Sequence, residues 1–263
     1  MKQPKFLPEI AERISRVKEE LVLKHSRCGG TGYISSSDSS NVVYRCGCMI
    51  VFRYLKELIK SGIPQDYWNL KLDDLEIEDK LIKTIFKKYI DNLDRAKSRG
   101  IGFLLYGSNG TGKSSLMIEV GKAAIIKGHA VRYFTLSSYI DSLFRRDTER
   151  VEYYEQGDFL LIDELDKKGG AVSKPIDEFL RRMFNLNKSL LLGTNWEETE
   201  LASSLGESAR SLLKRRCEFV QVGGKDYSDE LQDSILDRLL EEYDYFDPNI
   251  VEMAVQREKN QNG

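Results

Sequence analysis

Apolar residues along the chain fall into two patterns that change near residue 100. Before that point they recur every three or four positions, and each such run predicts an amphipathic helix. Leu7, Ile10, Ile14, Val17 and Leu21 define one over residues 8–24; Phe52, Tyr54, Leu55, Leu58 and Ile59 define a second over 50–61. Gly62-Ile63-Pro64 stops the second, since proline lacks the N–H that would continue the ladder and biases the residue before it out of the helical region. A third helix is expected over 76–98, from Leu81, Ile82, Ile85, Tyr89, Ile90 and Leu93. Beyond residue 100 short unbroken apolar runs take over, at 102–106, 130–136, 158–162, 189–194 and 218–222. Helical segments separate them, at 115–126, 139–144, 148–156, 175–185 and 197–214. Five buried strands alternating with helices predict an α/β domain, a parallel sheet covered on both faces.

Composition adds limits. With 263 residues, 41% of them hydrophobic and 31% charged, the chain suits one substantial globular domain plus smaller segments. No apolar run has the length of a membrane span and no apolar signal core opens the chain, which predicts an intracellular, cytoplasmic protein without membrane contact. The net charge of −2 hides an asymmetry: residues 1–62 carry eleven basic against six acidic side chains, residues 228–263 ten acidic against three basic. A near-neutral total argues against coating of DNA by bulk charge and leaves room for a local groove. These shifts divide the chain into an N-terminal helical segment (1–62), a linker (63–75) with Tyr67, Trp68 and Leu70, the strand-rich domain (76–227) and an acidic tail (228–263). In the tail Leu231, Ile235 and Leu239 suggest a helix packing on the core or on a partner. The first helix likewise has two readings, packing within its own domain or docking on a partner protein.

The most specific chemistry follows the first strand. Gly107-Ser108-Asn109-Gly110-Thr111-Gly112-Lys113-Ser114-Ser115 fits G-x-x-x-x-G-K-[ST], the phosphate-binding P-loop. Glycines let successive N–H groups converge on one anion, and the N-terminus of the next helix adds its dipole. Lys113 is expected on the β- and γ-phosphates of ATP, and the Ser114 hydroxyl on Mg²⁺. The strand Phe159-Leu-Leu-Ile ends in Asp163-Glu164, two acids at the sheet edge where α/β proteins bind ligands. Asp163 is expected to hold the Mg²⁺ shell and Glu164 to act as general base towards water. Leu190-Leu-Leu-Gly-Thr194 delivers Asn195 to the same edge, in a water-orienting or γ-phosphate-sensing role. Arg210, Arg215 and Arg216 precede the fifth strand; an arginine donated to a neighbouring subunit would stabilise charge on its transferring phosphate, and Arg216 is the first candidate.

A second constellation lies near the N-terminus. His25-x-x-Cys28 and Cys46-Gly-Cys48 flank a polar stretch, and three of the four cysteines and one of the two histidines in the chain gather there. Two soft-ligand pairs brought together by a hairpin are what tetrahedral Zn²⁺ requires.

Together GSNGTGKSS, LLIDEL, LLLGTN and the arginines before a strand resemble the AAA+ ATPase core over residues 76–227. HSRCGGTGY…YRCGC followed by SGIPQDYW resembles the N-terminal region of DnaC/DnaI-type helicase loaders, with His25 standing where relatives usually have cysteine. The resemblance implies an ATPase that binds a hexameric replicative helicase through its zinc-binding N-terminal domain and places it on single-stranded DNA. It also implies AAA+ modules that self-associate side by side, so that an arginine reaches the neighbour's ATP. Arg145 and Arg146 stand where related loaders and initiators carry a DNA-contacting helical element. Where relatives place an arginine after Tyr227 this chain has Ser228, so the resemblance supplies no second sensor there. Two other readings share these motifs: the ATPase subunit of a transposition system, and an adaptor switched by ATP binding with little hydrolysis.

Overall fold

The computed structural model describes residues 7–35, 43–75, 77, 79–165, 173–224 and 245–262. Its centre is a five-stranded, all-parallel sheet of β3 (Gly102–Tyr106), β4 (Val131–Thr135), β5 (Phe159–Asp163), β6 (Ser189–Thr194) and β7 (Cys217–Gln221), in the order β4-β5-β6-β3-β7. Strands β3, β5 and β6 are buried at every residue, which explains why they read as continuous apolar runs rather than alternating ones. The strands fall within a residue or two of the expected ranges. β5 begins at Phe159 and includes Asp163 as its last residue.

Helices α3 (Lys80–Asp91), α4 (Leu93–Arg99), α5 (Lys113–Ile126), α6 (Leu136–Phe144), α7 (Thr148–Glu155), α8 (Ser173–Asn185) and α9 (Glu198–Arg216) surround the sheet. The single helix expected over 76–98 is instead α3 and α4. Asp79 accepts the Leu81 N–H at 2.8 Å and so starts α3 later, and Asn92 leaves helical geometry between the two. Helix α9 opens with a capping box between Glu197 and Glu200 and breaks at Gly206, whose φ of 74° lies in the left-handed region.

The N-terminal segment packs on this core. Helix α1 (Pro8–Lys18) runs into a π-helical turn (Glu19–Leu23), then a short hairpin of β1 (Tyr33–Ser35) and β2 (Val43–Arg45), then α2 (Gly47–Ser61). Helix α2 starts three residues earlier than periodicity suggests, which brings Cys48 into its first turn. Its buried side reaches α5 and the edge strand β4. Gly62 ends it at φ 78°, and a Cβ there would lie 2.9 Å from the Tyr133 carbonyl, so the turn requires glycine. The linker is held from beneath. Trp68 is fully buried and donates to the Ile63 carbonyl at 3.0 Å, with the Arg13 guanidinium over its ring. The buried Lys122 ammonium of α5 donates to the carbonyls of Tyr67 and Leu70 and pairs with Glu119.

A further helix, α10 (Pro248–Asn262), closes the arrangement by lying across α2 and α5. Glu258 takes both Arg45 and Arg53, Glu252 pairs with Lys71 at 2.8 Å, and the Tyr54 hydroxyl donates to the Met253 sulfur at 3.2 Å. Leu231, Ile235 and Leu239 lie outside the described residues. Among the described residues no helix is long and apolar enough to cross a membrane.

Candidate nucleotide site and metal centre

Parallel pairing sets one edge of the sheet as the site. Tyr106 is opposite Thr194, and Thr135 is opposite Asp163, so the carboxyl ends of four neighbouring strands align. The loop after Tyr106 turns through Gly107, Gly110 and Gly112 at φ of 135°, 72° and 90°. At Gly107 a Cβ would lie 2.4 Å from the Val222 carbonyl, so only glycine permits this close passage beside β7. Ser108 and Asn109 form the exposed tip, and Thr111 is buried, its hydroxyl donating back to the Ser108 carbonyl at 3.0 Å. Lys113 opens α5 and is buried; its ammonium donates to the Gly107 and Ser108 carbonyls at 2.9 and 2.5 Å. The charge thus sits inside the turn, at the positive end of α5, where backbone N–H groups and the ammonium converge on an anion. Ser115 follows, half-buried.

Asp163 is buried and fully engaged. One carboxylate oxygen accepts the Ser114 hydroxyl at 2.5 Å and the Tyr133 hydroxyl at 3.0 Å; the other accepts the Glu164 N–H at 2.9 Å. A serine hydroxyl that donates to a carboxylate keeps its lone pairs for a cation, so Ser114, with Asp163 held against it, could serve the shell of a magnesium ion. Glu164 is half-buried at φ 54°, a conformation that costs a non-glycine residue of order 1 kcal/mol or more. Asn195, half-buried, follows β6, which lies between β5 and β3 and so between the two acids and the phosphate loop.

The arginines separate. Cys217 at the start of β7 pairs with Gly102 at the start of β3, so Arg215 and Arg216 stand at the opposite edge of the sheet, about 17 Å from the same chain's phosphate loop. Arg216 turns inward to the Arg99 carbonyl and to Asn187 at 3.3 Å. Arg215 is exposed, and with Arg210, Lys214, Thr199 and Ser203 it lines an open groove of about 710 Å³ on α9.

Arg145 and Arg146 lie at the exposed tip between α6 and α7, beyond edge strand β4. Arg146 has φ 57°, and Asp147 caps α7 through the Arg150 N–H at 3.0 Å. Phe144, 76% exposed, stands beside them. From sequence Phe144 reads only as the end of a short helix over 139–144; its place directly before two arginines is the available signal.

His25, Cys28, Cys46 and Cys48 come together, their ligand atoms all within 4.8 Å of one another. Cys28 sulfur lies 3.4 Å from His25 Nδ1 and 3.6 Å from Cys48 sulfur, and Cys46 sulfur lies 3.6 Å from the same ring nitrogen. Zinc–sulfur bonds of about 2.3 Å in a tetrahedron give ligand separations of about 3.8 Å, so the four residues fit that ion. All three thiols are buried. Burial pushes Cys28 up, but hydrogen bonds from His25, the Gly32 amide and Cys48 prevail and bring it down to about 6. Burial and the neighbouring sulfurs push Cys48 up to about 12. A set in which one thiolate forms readily and another only with compensation is what a divalent soft-metal centre neutralises.

Comparison with known proteins agrees with the geometry of the sheet. The chain is 26% identical over 154 residues to the chromosomal replication initiator protein DnaA of Wolinella succinogenes, a match spanning 47% of this chain and 35% of that relative's length. Among solved structures it resembles the DnaC helicase loader, with TM-score 0.55 and 21% identity over 61% of this chain and all of that one. It also resembles a replication initiator DnaA bound to AMPPCP and single-stranded DNA, with TM-score 0.50 and 17% identity over 76% of this chain and 65% of the other. At these identities the two structures establish the shared fold. Residues 103–243, more than half of the chain, match the model of the ATPase family associated with various cellular activities, and with the phosphate loop and Asp163 placed as described, the chain belongs to the AAA family.

Proposed function

We propose that this chain is an ATP-hydrolysing loader that places a hexameric replicative helicase on single-stranded DNA at the start of replication. The observation that carries the reading is the union, in one packed body, of an AAA core and a four-ligand His/Cys knuckle on its N-terminal side. The likeness of fold to the DnaC helicase loader supports it.

In this reading the amides of residues 107–115 and the Lys113 ammonium hold the phosphates of ATP, while Ser114 and Asp163 hold Mg²⁺. When bound there, Mg²⁺ would supply charge neutralisation for the phosphoryl transfer. Asn195 orients a water molecule in line with the γ-phosphorus, and the Glu164 carboxylate takes its proton as the new P–O bond forms and ADP leaves. An arginine from the α9 groove serves a neighbouring copy, since the same chain's phosphates lie at the far edge of the sheet. Arg215 and Arg210 face that groove, whereas Arg216 is held within its own subunit. Arg145 and Arg146 contact the DNA backbone, and Phe144 offers a face on which a base stacks. His25, Cys28, Cys46 and Cys48 would hold Zn²⁺, and the metal would brace the hairpin through which the helicase is gripped. The hairpin leaves Tyr33, Val43 and Tyr44 exposed, as is Leu23 before the knuckle, so apolar side chains are available there to a partner.

Delivery of a cognate helicase onto protein-coated circular single-stranded DNA tests the reading. Unwinding that requires this chain and ATP, and that is lost with Lys113→Ala, is expected. DNA-stimulated ATP hydrolysis without any helicase delivery would overturn it in favour of a transposition-type ATPase. Delivery that survives Glu164→Gln after turnover is lost would favour the ATP-switched adaptor.

A further inference from the structure

We infer that Tyr133 is a positioning residue for the cation site: its hydroxyl holds the Asp163 carboxylate in the orientation that a divalent ion on Ser114 requires. The inference rests on the assignment of Asp163 and Ser114 given above and adds a residue from outside the phosphate loop and the acidic strand end.

Tyr133 lies on edge strand β4, two residues before Thr135, which pairs with Asp163. Positions two apart share a face of the sheet, so Tyr133, Thr135 and Asp163 lie on the side covered by α5. From there the phenol reaches past Thr135 to the carboxylate oxygen that Ser114 also engages, at 3.0 and 2.5 Å respectively. The second oxygen is fixed independently. It accepts the Glu164 N–H, and it rests against Gly193 of β6, where a Cβ would lie 2.7 Å away. Elements on either side of β5 therefore set the rotation of one carboxylate: Tyr133 from β4, Gly193 from β6, and Ser114 from α5 in front.

Chemistry favours a persistent donor. A phenol, whose ordinary pKa is about 10, keeps its proton at any working pH. Among the described residues, the hydrogen bond found for this hydroxyl goes to Asp163. Packing alone would be served equally by phenylalanine. Outer partners of this kind orient ligands that themselves touch the ion, and their removal typically costs tenfold or more in metal affinity.

Tyr133→Phe keeps the ring and deletes the bond. Affinity for a fluorescent N-methylanthraniloyl-ATP is measured in EDTA and across a Mg²⁺ titration, for wild type, Tyr133→Phe and Asp163→Asn, with melting temperatures of the nucleotide-free proteins. The expected result is unchanged affinity in EDTA, an unchanged melting temperature, and a Mg²⁺ midpoint raised about tenfold in Tyr133→Phe. A midpoint equal to wild type, or an equal loss in EDTA and in Mg²⁺, overturns the inference. Should wild type itself show no tightening by Mg²⁺, the cation assignment of Asp163 and Ser114 fails first.

Discussion

The two candidate centres of this chain are built by opposite strategies. The phosphate site is made largely of backbone: a glycine turn and a helix N-terminus, placed by strands buried at every residue. Its backbone frame is set by the buried sheet. The His/Cys centre is made of side chains from two short segments joined by a hairpin whose strand residues are mostly exposed. The hairpin strands add little apolar burial of their own, although Leu21, Val22, Cys46, Cys48 and Val51 around them are buried, so a bound ion is expected to supply part of the local folding energy. One site is framed by the sheet; the other gathers its side chains from separate segments. If the chain acts as the proposed loader, this division is apt, because turnover would then leave the core folded while the element proposed to bind the partner would profit from a single strong staple.

Removing the metal should break this contrast most sharply. Chelation, or Cys46→Ser, is expected to abolish stoichiometric zinc and to expose residues 25–48 to protease and hydrogen exchange. ATP affinity should stay within about twofold, because local opening of one unit leaves the rest folded. A parallel loss of ATP binding would show that the two centres fold as one. Lys113→Ala should give the reverse pattern. Nucleotide affinity falls about a hundredfold through loss of charge-assisted bonds to phosphate, with zinc content and melting temperature unchanged.

Gly193→Ala probes the rigid side. The new methyl would meet Asp163 at 2.7 Å and Met117 at 2.9 Å inside a central strand, so a loss of about 1–3 kcal/mol in stability is expected in thermal or denaturant unfolding, with weaker Mg²⁺ dependence. Unaltered stability would mean the strand can shift to make room. Smallest is Glu258→Gln, which weakens the pairing of α10 with Arg45 and Arg53. These side chains are 14%, 37% and 31% exposed, so about 0.5–1 kcal/mol is expected, seen as faster hydrogen exchange in α10 without change at the phosphate loop.

What the sequence disclosed follows the same division. The β-strands, the phosphate loop and the Asp163-Glu164 strand end were legible because each is a contiguous pattern with a local physical reason. The His/Cys cluster was legible because scarce residue types gather in one region. Partnerships between distant segments were not. Nothing in the pattern of residues 130–136 links Tyr133 to Asp163, and periodicity does not reveal that Lys122 grips the linker carbonyls. The packing of α10 on the oppositely charged N-terminal segment was foreshadowed only by the charge asymmetry. Arg216 shows the limit from another side: its place before β7 suggested a donated arginine, yet its guanidinium is tied to Arg99 and Asn187, which no spacing rule foretells.

The most direct test of the central claim is the mass, in solution, of the assembly formed with a cognate hexameric replicative helicase, with ATP and without. The account predicts a stable complex with the zinc-loaded protein. It should persist with Glu164→Gln and disappear when Cys46→Ser empties the knuckle. Absence of a complex in every nucleotide state, with zinc and ATP both bound, would contradict it.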